Sequence, residues 1–460
     1  SGMNFDTVNF EGITVDNASI TNFGRVQCNV SDYIGKNGNL KFNGKNMTLK
    51  QMQYIDMSGM DSYGEVDLSG TYAPAATRLA ITGSNMSTTS TTYISPYSSY
   101  LPYEVNSGSS SNPNFLKKIT LRDVVIPNLQ TLRFNYNPNL EELDINLDTS
   151  NLTSMNNLFR WARKLTEEAI PFEMFSTSNV TNMSGVFSHC ESITDYPRLH
   201  LWDFTNVTNA GGMFEYNKSV REFNLDYFAP AGLTSATAMF YNNSIMETVN
   251  LPNLNTSLIT SFEGMFGKNP KLTTINLDFD FSSATTLANL FEGCTVLEGF
   301  NVISEDAPNV TTVNSMFKDC SSIKDLGGFD KLPLSQVTSF SYFLQGCKQL
   351  KDVELLTSAK PTSVSYMFNN MDANSISIPN LDTSAVTSFT YMFANNPNIT
   401  NYTIGENFNT STATSFTYMF QNSNIANFDL SRIDTSSATT LAGMFQGCKL
   451  TDEHLEMIRG

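Results

Sequence analysis

Positive charge is scarce in this sequence. Its 460 residues include 27 Lys and Arg against 44 Asp and Glu, which gives a formal net charge of −17. A surface of that sign repels nucleic-acid phosphates and suits a neutral or cationic partner. No apolar run approaches the ~20 residues that a membrane-spanning helix needs. The sequence therefore predicts no nucleic-acid partner and no transmembrane segment.

Residue types that bind metals or catalyse reactions are also few. The chain has six Cys and three His, and none lies at the spacing of a zinc site. It contains no Gly-x-Ser-x-Gly motif, no Walker loop and no dinucleotide fingerprint. We therefore predict no catalytic residue, no metal and no cofactor, and a protein that is not an enzyme. His189 is expected at a solvated position.

A secretory signal is missing at the start of the sequence. Ser1-Gly2 before Met3 resembles the remnant of a tag, and residues 3–23 show neither the basic nor the apolar region of a signal peptide. Two interpretations stay open. Either the natural chain begins at Met3 without a signal, or a signal precedes the sequence and has been removed.

What the sequence has in abundance is repetition. The stretch from Thr383 to Asn396 recurs, and aligning its copies on Phe393 gives twelve anchors that are 24 to 28 residues apart. The anchors are Phe159, Phe187, Phe214, Phe240, Phe266, Phe291, Phe317, Leu344, Phe368, Phe393, Phe420 and Phe445. A sustained period of this length predicts a solenoid.

Each repeat contains two patterns. Six residues before every anchor stands a Thr, and the apolar positions that follow are spaced i, i+3, i+4, i+7, which predicts a short helix capped by the Thr hydroxyl. An alternating pattern follows, as in Leu272, Ile275 and Leu277, and predicts a strand. We therefore predict an α/β solenoid with one short helix and one parallel strand per ~26-residue repeat.

The repeat resembles the BspA-like leucine-rich repeat of bacterial surface proteins and mycoplasma lipoproteins. The resemblance lies in Phe291, Cys294 and Leu297, followed by Phe300 and Val302. It implies a leucine-rich-repeat superhelix and a non-enzymatic adhesion or recognition protein at a cell surface. Its ligand would be a protein or a glycan.

The remaining sequence predicts four segments. Residues 1–62 show no repeat and form a small β-rich N-terminal segment. Residues 63–115 hold capping strands and a loop rich in Ser and Thr between Ser84 and Asn114. Residues 116–450 form the solenoid, and residues 451–460 a capping helix that covers its end.

Five of the six cysteines occupy the same repeat position, three residues after an anchor. They are Cys190, Cys294, Cys320, Cys347 and Cys448. We predict a ladder of small buried groups. Coils at the ~4.8 Å spacing of strands would bring three of them within disulfide reach, but parallel side chains make a bond unfavourable.

Two rows of side chains are candidates for binding. The first is a strand position occupied by Asn224, Asn250, Asn276 and Asn301. Alternation turns this position away from the core, onto the concave sheet face, where amides would suit a glycan or a polar protein surface. The alternative is that the amides bond to one another along the stack.

The second row lies two residues before the anchor in four successive repeats. It consists of Tyr342, Tyr366, Tyr391 and Tyr418. On a helix this position would face away from the core and could form an aromatic interface stripe. The alternative is that each Tyr covers a buried neighbour. We expect the Asn row to matter more for ligand binding.

Three classes of function follow from these observations. The first is an adhesion or recognition protein, extracellular or at the cell surface, that binds a protein or a glycan. The second is a structural or host-recognition component of a phage particle, exposed on the virion. The third is a glycan-active enzyme, which screening on polysaccharides would reveal. The oligomeric state is left open.

Overall fold

A computed structural model describes residues 7–15, 40–58, 63–82 and 115–459. The chain divides into two compact units. Unit 1 comprises Ser1–Leu233 with Ala238–Asn243, and unit 2 comprises Thr234–Thr237 with Ser244–Gly460. The predicted Ser/Thr-rich loop and Cys28 lie outside the described residues.

Short strands and turns dominate the described residues. The strands are β1 (Thr7–Asn9), β2 (Thr14–Val15), β3 (Leu40–Asn43), β4 (Thr48–Leu49), β5 (Tyr54–Ser58), β6 (Tyr63–Asp67), β7 (Arg78–Thr82), β8 (Lys118–Val124), β9 (Thr131–Arg133), β10 (Glu142–Leu147), β11 (Glu222–Asn224), β12 (Thr248–Asn250), β13 (Thr274–Asn276), β14 (Asp278–Phe279), β15 (Asn301–Val302), β16 (Asp352–Glu354), β17 (Ser375–Ile378) and β18 (Asn401–Ile404). One α-helix, α1, spans Asp452–Arg459. Single 3-10 turns lie at Phe172–Met174, Leu199–Leu201, Phe329–Lys331 and Leu430–Arg432.

Unit 1 stacks its strands in parallel rows. One row has the order β1-β3-β6-β8-β10, a second β5-β7-β9, and a third β2-β4. Phe42 pairs with Val66 and Val66 with Ile119, and all three side chains are fully buried. Alternate apolar residues of successive strands thus form one continuous core.

Unit 2 repeats this arrangement. Strand β12 pairs with β13, β14 with β15, and β17 with both β16 and β18, all in parallel. Each unit is a parallel β-solenoid, which confirms the predicted parallel stacking. A strand at the predicted position occurs in seven of the twelve repeats.

The helix part of the predicted repeat is wrong. In the coil of Phe159, the amides of Met155, Asn157 and Phe159 donate to carbonyls of the next coil at 2.9, 2.7 and 2.9 Å. The amide of Leu158 between them closes a turn by donating to Met155 at 3.0 Å. In an α-helix all of these amides would donate within their own coil. The segment is therefore a series of turns that is hydrogen-bonded to its neighbour.

The spacing between coils explains why a helix does not form. Anchor rings of successive coils stack with centroids 5.9 Å apart for Phe159–Phe187 and 5.7 Å apart for Phe368–Phe393. An α-helix with its side chains is about 10 Å wide. Coils joined by backbone hydrogen bonds at nearly strand spacing leave no room for it.

The turns bury the side chains that the helical pattern identified. Met155, Leu158, Phe159 and Ala162 stand at i, i+3, i+4 and i+7 and are all fully buried. The pattern therefore identified the buried face correctly and the backbone conformation incorrectly.

Left-handed residues make these turns possible. In all twelve repeats, the positions two before and two after the anchor have φ between 52° and 77°, as at Gly185 and His189. This conformation does not occur inside a right-handed helix and costs a non-glycine residue about 1–2 kcal/mol. Each coil therefore contains two such residues, four positions apart, and the chain changes direction at both.

The Thr six before each anchor is not a helix cap. The backbone amide of Thr285 donates to the carbonyl oxygen of Thr260 at 2.8 Å, and its hydroxyl donates to the same oxygen at 2.9 Å. Thr311 makes the same two bonds to Thr285, at 3.0 and 3.1 Å. The Thr row therefore ties successive coils together.

The Cys row has a similar role. The thiol of Cys294 donates to the Phe266 carbonyl and that of Cys320 to the Phe291 carbonyl, each at 3.0 Å. Asn396 at the same repeat position donates to the carbonyls of Phe368 and Phe393. The predicted burial is confirmed for Cys190, Cys294, Cys320 and Cys347, whereas Cys448 is partly exposed, and these five are free thiols.

Emptying one anchor site should loosen the solenoid locally. Phe266 is fully buried and stacks on Phe291 at 5.9 Å. We expect Phe266→Ala to lower the unfolding free energy by about 3–5 kcal/mol, the range for truncating a large aromatic core residue. Leu258→Ala, at a largely exposed position of the same coil, is the control and should cost far less. Hydrogen exchange should rise first in adjacent coils of unit 2. An equal rise throughout unit 2 would contradict this.

The buried thiols should be unreactive in the folded protein. Burial raises the pKa of the Cys294 thiol to about 12, and burial likewise raises the pKa of Cys320. Since only the thiolate is a nucleophile, we expect iodoacetamide to label Cys448 first and the four buried thiols only after denaturation. Peptide mass spectrometry reads this out. Native labelling of Cys320, or a disulfide between Cys294 and Cys320, would overturn the buried ladder.

Candidate recognition surfaces

The four Tyr side chains form one continuous stack in unit 2. Successive ring centroids lie 4.8, 4.7 and 4.9 Å apart from Tyr342 to Tyr418, with interplanar angles of 14°, 16° and 29°. Tyr342 is 37% exposed and the other three are partly exposed. We call this set the tyrosine stack. Its rings lie on one another and leave an aromatic strip at the surface.

Lys318 lies at one end of the tyrosine stack and Gly443 at the other. The ammonium group of Lys318 lies 5.6 Å from the centre of the Tyr342 ring, a cation–π contact. At the other end stands Gly443, where a Cβ atom would overlap the ring of Tyr418. The glycine is therefore required to accommodate the last ring.

The backbone under the tyrosine stack is strained. Its four residues have φ of 60°, 59°, 53° and 54°. Each amide is held by the next coil, as in the 3.0 Å bond from Tyr366 to the carbonyl of Thr390. These bonds fix the four rings in register.

Four of the other repeats avoid this strain with Gly, and the remaining four place a smaller side chain there than Tyr. The same position is occupied by Gly in four repeats and by small or short polar residues in four more. These residues are Asn157, Gly185, Gly212, Ala238, Gly264, Asn289, Ser315 and Gly443. Tyr at a left-handed position costs about 1–2 kcal/mol relative to Gly. Four consecutive bulky residues at such positions indicate a role for their side chains.

The Asn row is divided by a change of strand register. In unit 2, Asn250 lies opposite Asn276, but Asn301 lies opposite Asp278 and donates to its carboxylate at 2.6 Å. Asn276 and Asn301 are exposed, and Asn250 is half-buried. Asn224 is exposed on β11 of unit 1. The strand face of unit 2 therefore presents amides mixed with carboxylate.

Sequence reasoning missed a second aromatic stack, in unit 1. It occupies the position two after the anchor, where Trp161 stacks on His189 at 3.9 Å and His189 on Tyr216 at 4.2 Å. The guanidinium of Arg163 lies 4.6 Å from the Trp161 ring. The signal was present as aromatic residues at intervals of one repeat.

His189 is buried, so the expected solvated position is wrong. Only 7% of it is exposed because Trp161 and Tyr216 cover both faces of the imidazole. Burial, with the nearby charges of Arg160 and Arg163, holds the pKa of His189 well below its usual range. The ring is neutral, and one nitrogen contacts the hydroxyl of Ser188 at 2.9 Å. This stack stabilises the fold of unit 1.

No three His, Cys, Asp or Glu side chains lie close enough to hold a metal ion in the described part of the chain. No helix in that part is both long and apolar enough to cross a membrane.

Comparison with known proteins identifies related sequences and folds. A family model described as "Mycoplasma protein of unknown function, DUF285" matches residues 128–248, 234–357 and 362–458. No curated protein matches the sequence. A leucine-rich repeat protein from Bacteroides ovatus ATCC 8483 is 14% identical, with a TM-score of 0.37, covering 76% of this chain and 86% of that chain. A leucine rich cell surface protein from Faecalibacterium prausnitzii A2-165 is 13% identical, with a TM-score of 0.29, covering 87% and 88%.

The buried imidazole should make stability depend on pH. Below about pH 6.5 the unfolded chain binds a proton that folded His189 does not, so the unfolding free energy falls as pH falls. One such proton corresponds to about 1.4 kcal/mol per pH unit. We expect His189→Asn to reduce the loss of stability between about pH 7 and pH 5, measured by urea denaturation. Asn is the matched substitution because Asn370 and Asn395 occupy this position with the same left-handed φ. An unchanged pH dependence would contradict the assignment.

Proposed function

The chain belongs to the family described as "Mycoplasma protein of unknown function, DUF285", and we propose that it is a non-enzymatic recognition protein that binds a protein partner through the tyrosine stack. Its repeat is therefore of the mycoplasma type, as the resemblance of its sequence predicted. The observation that supports the proposal is the row of four stacked Tyr residues at left-handed positions. The partner would be met outside the cell, at a cell surface.

The tyrosine stack has the properties of a binding anchor. Tyr supplies a large contact area with few rotatable bonds, and it is enriched where proteins meet. Here the rings are already fixed by their neighbours at 4.7–4.9 Å, so little side-chain freedom remains to be lost on binding. A preorganised aromatic strip therefore favours recognition of a complementary protein surface.

Hydroxyl side chains stand close to the stacked Tyr residues in the sequence. Ser341 contacts Ser363 across neighbouring coils at 2.7 Å, and Ser388 contacts Thr390 at 2.7 Å. All four are partly buried and stand within three residues of a stacked Tyr. An aromatic centre with a polar border is the usual composition of a protein interface.

Charge narrows the choice of partner. The chain has a formal net charge of −17, which favours a neutral or cationic partner surface. The ammonium group of Lys318, 5.6 Å from the Tyr342 ring, is ion-paired with Glu292 at 3.2 Å and adds no free positive charge to the end of the stack. We therefore propose that the partner presents an apolar or aromatic patch on a neutral or cationic surface.

Removing the middle of the tyrosine stack should abolish binding without unfolding unit 2. We expect Tyr366→Gly combined with Tyr391→Gly to eliminate the wild-type signal on a protein array. The melting temperature should change little, because relief of left-handed strain offsets the lost stacking of about 0.5–1.5 kcal/mol per pair. Light scattering measures the mass of the wild type and of the double variant, and a larger mass for the wild type would show that the partner is a second copy of this chain.

The strand face supplies the control. Asn250→Ala combined with Asn276→Ala alters the row that the sequence favoured and leaves every Tyr in place. We expect this variant to bind as the wild type does. Loss of binding in the Asn variant, with binding retained in the Tyr variant, would place the interface on the strand face and contradict the proposal.

A further inference from the structure

A polar cleft interrupts the strand row of unit 1. It has a volume of about 300 Å³ and lies between the segment Asp195–Pro197 and strand β11 with the Tyr227 that follows it. Glu222 and Asn224 are exposed, whereas Tyr196 is only 8% exposed. The cleft therefore leads from solvent to a buried Tyr.

Pro197 forms part of the cleft wall. It occupies the part of its coil where other repeats form a strand, and proline has no backbone N–H to donate to a ladder. The guanidinium of Arg198 substitutes for those bonds on the preceding coil, where it donates to the carbonyl of Ile170 at 3.0 Å and pairs with Glu167 at 3.1 Å. The segment Asp195–Pro197 is therefore not a strand, and Arg198 ties it to the preceding coil.

Two Tyr residues that line the cleft have hydroxyl groups without a hydrogen-bond partner among the described residues. The phenol oxygens of Tyr196 and Tyr227 are both buried and unpaired. The Tyr196 ring is held by Phe187, Phe214 and Phe223, with centroids 5.0, 5.1 and 5.9 Å away, so it cannot turn its hydroxyl elsewhere. An unpaired buried hydroxyl costs about 1–3 kcal/mol. A ligand that accepts these hydrogen bonds would recover that cost.

The other polar groups of the cleft narrow the class of ligand. Asp195 and Glu222 are acceptors, and the Asn224 amide both donates and accepts. An ammonium ion would satisfy the carboxylates but offers nothing to a phenol donor. A phosphate would accept from the phenols but would be repelled by the carboxylates. A ligand with several hydroxyl groups both donates and accepts, and satisfies both sets.

We propose that this cleft binds one sugar residue, held through its hydroxyl groups by Asp195, Tyr196, Glu222 and Asn224. The volume lies at the lower end of the range for small-ligand sites and suits one monosaccharide. The site belongs to unit 1, is separate from the tyrosine stack of unit 2, and does not depend on the function proposed for that stack.

The test titrates the full chain with free glucose, galactose, mannose and N-acetylglucosamine, and with methylammonium and inorganic phosphate as competing classes. Saturation-transfer NMR and calorimetry report binding. We expect at least one sugar to bind the wild type and Tyr196→Phe to weaken it about tenfold, the loss of one hydrogen bond. Tyr402→Phe is the control, because it removes a buried hydroxyl that donates to Asn424 in unit 2, and it should bind sugar normally.

Stability without ligand gives a second readout. Because the Tyr196 hydroxyl has no partner, Tyr196→Phe should melt at the wild-type temperature or above it, whereas Tyr402→Phe should melt lower. Three results would overturn the proposal: no sugar binds, Tyr196→Phe binds sugar as the wild type does, or methylammonium or phosphate binds in place of every sugar.

Discussion

The hydrogen-bonded spacing between successive coils is the constraint on which each unit depends. Strand amides, turn amides and the Thr hydroxyls all donate to the neighbouring coil, and the stacked anchor rings lie 5.5–5.9 Å apart. Coils this close exclude a helix, so the chain turns through pairs of left-handed residues instead. The Phe core, the Cys row and the Thr row all follow from one requirement: every coil must match its neighbour position by position.

The same constraint creates the proposed binding surfaces. Stacking places equal repeat positions side by side, so one Tyr per repeat becomes a continuous aromatic strip in unit 2. Where a coil departs from the pattern, the row opens. The segment Asp195–Pro197 is not a strand, and beside it lies a polar cleft lined by two Tyr whose phenols have no partner among the described residues. Regular repetition thus builds an extended surface, and a local exception builds a pocket.

Much of the fold could be predicted from the sequence, and the failures have physical reasons. Phe266 and Cys320 were identified as buried because burial depends only on the repeat period. The helix was wrong because the spacing i, i+3, i+4, i+7 also describes successive turns, and only the coil spacing distinguishes them. The position of Asn301 opposite Asp278 depends on a register change that no local pattern shows. The Tyr196 cleft depends on contacts between coils, so sequence reasoning did not find it.

The backbone conformation of the turn segments can be measured directly in solution. Far-ultraviolet circular dichroism of the intact chain distinguishes stacked turns from helices, because only the eight-residue α1 is α-helical in the described residues. We expect a spectrum dominated by β-structure and turns, with a helical signal no larger than one short helix contributes. A strong helical signal, as one helix in each of twelve repeats would give, would contradict the left-handed turns and the registered tyrosine stack that depends on them.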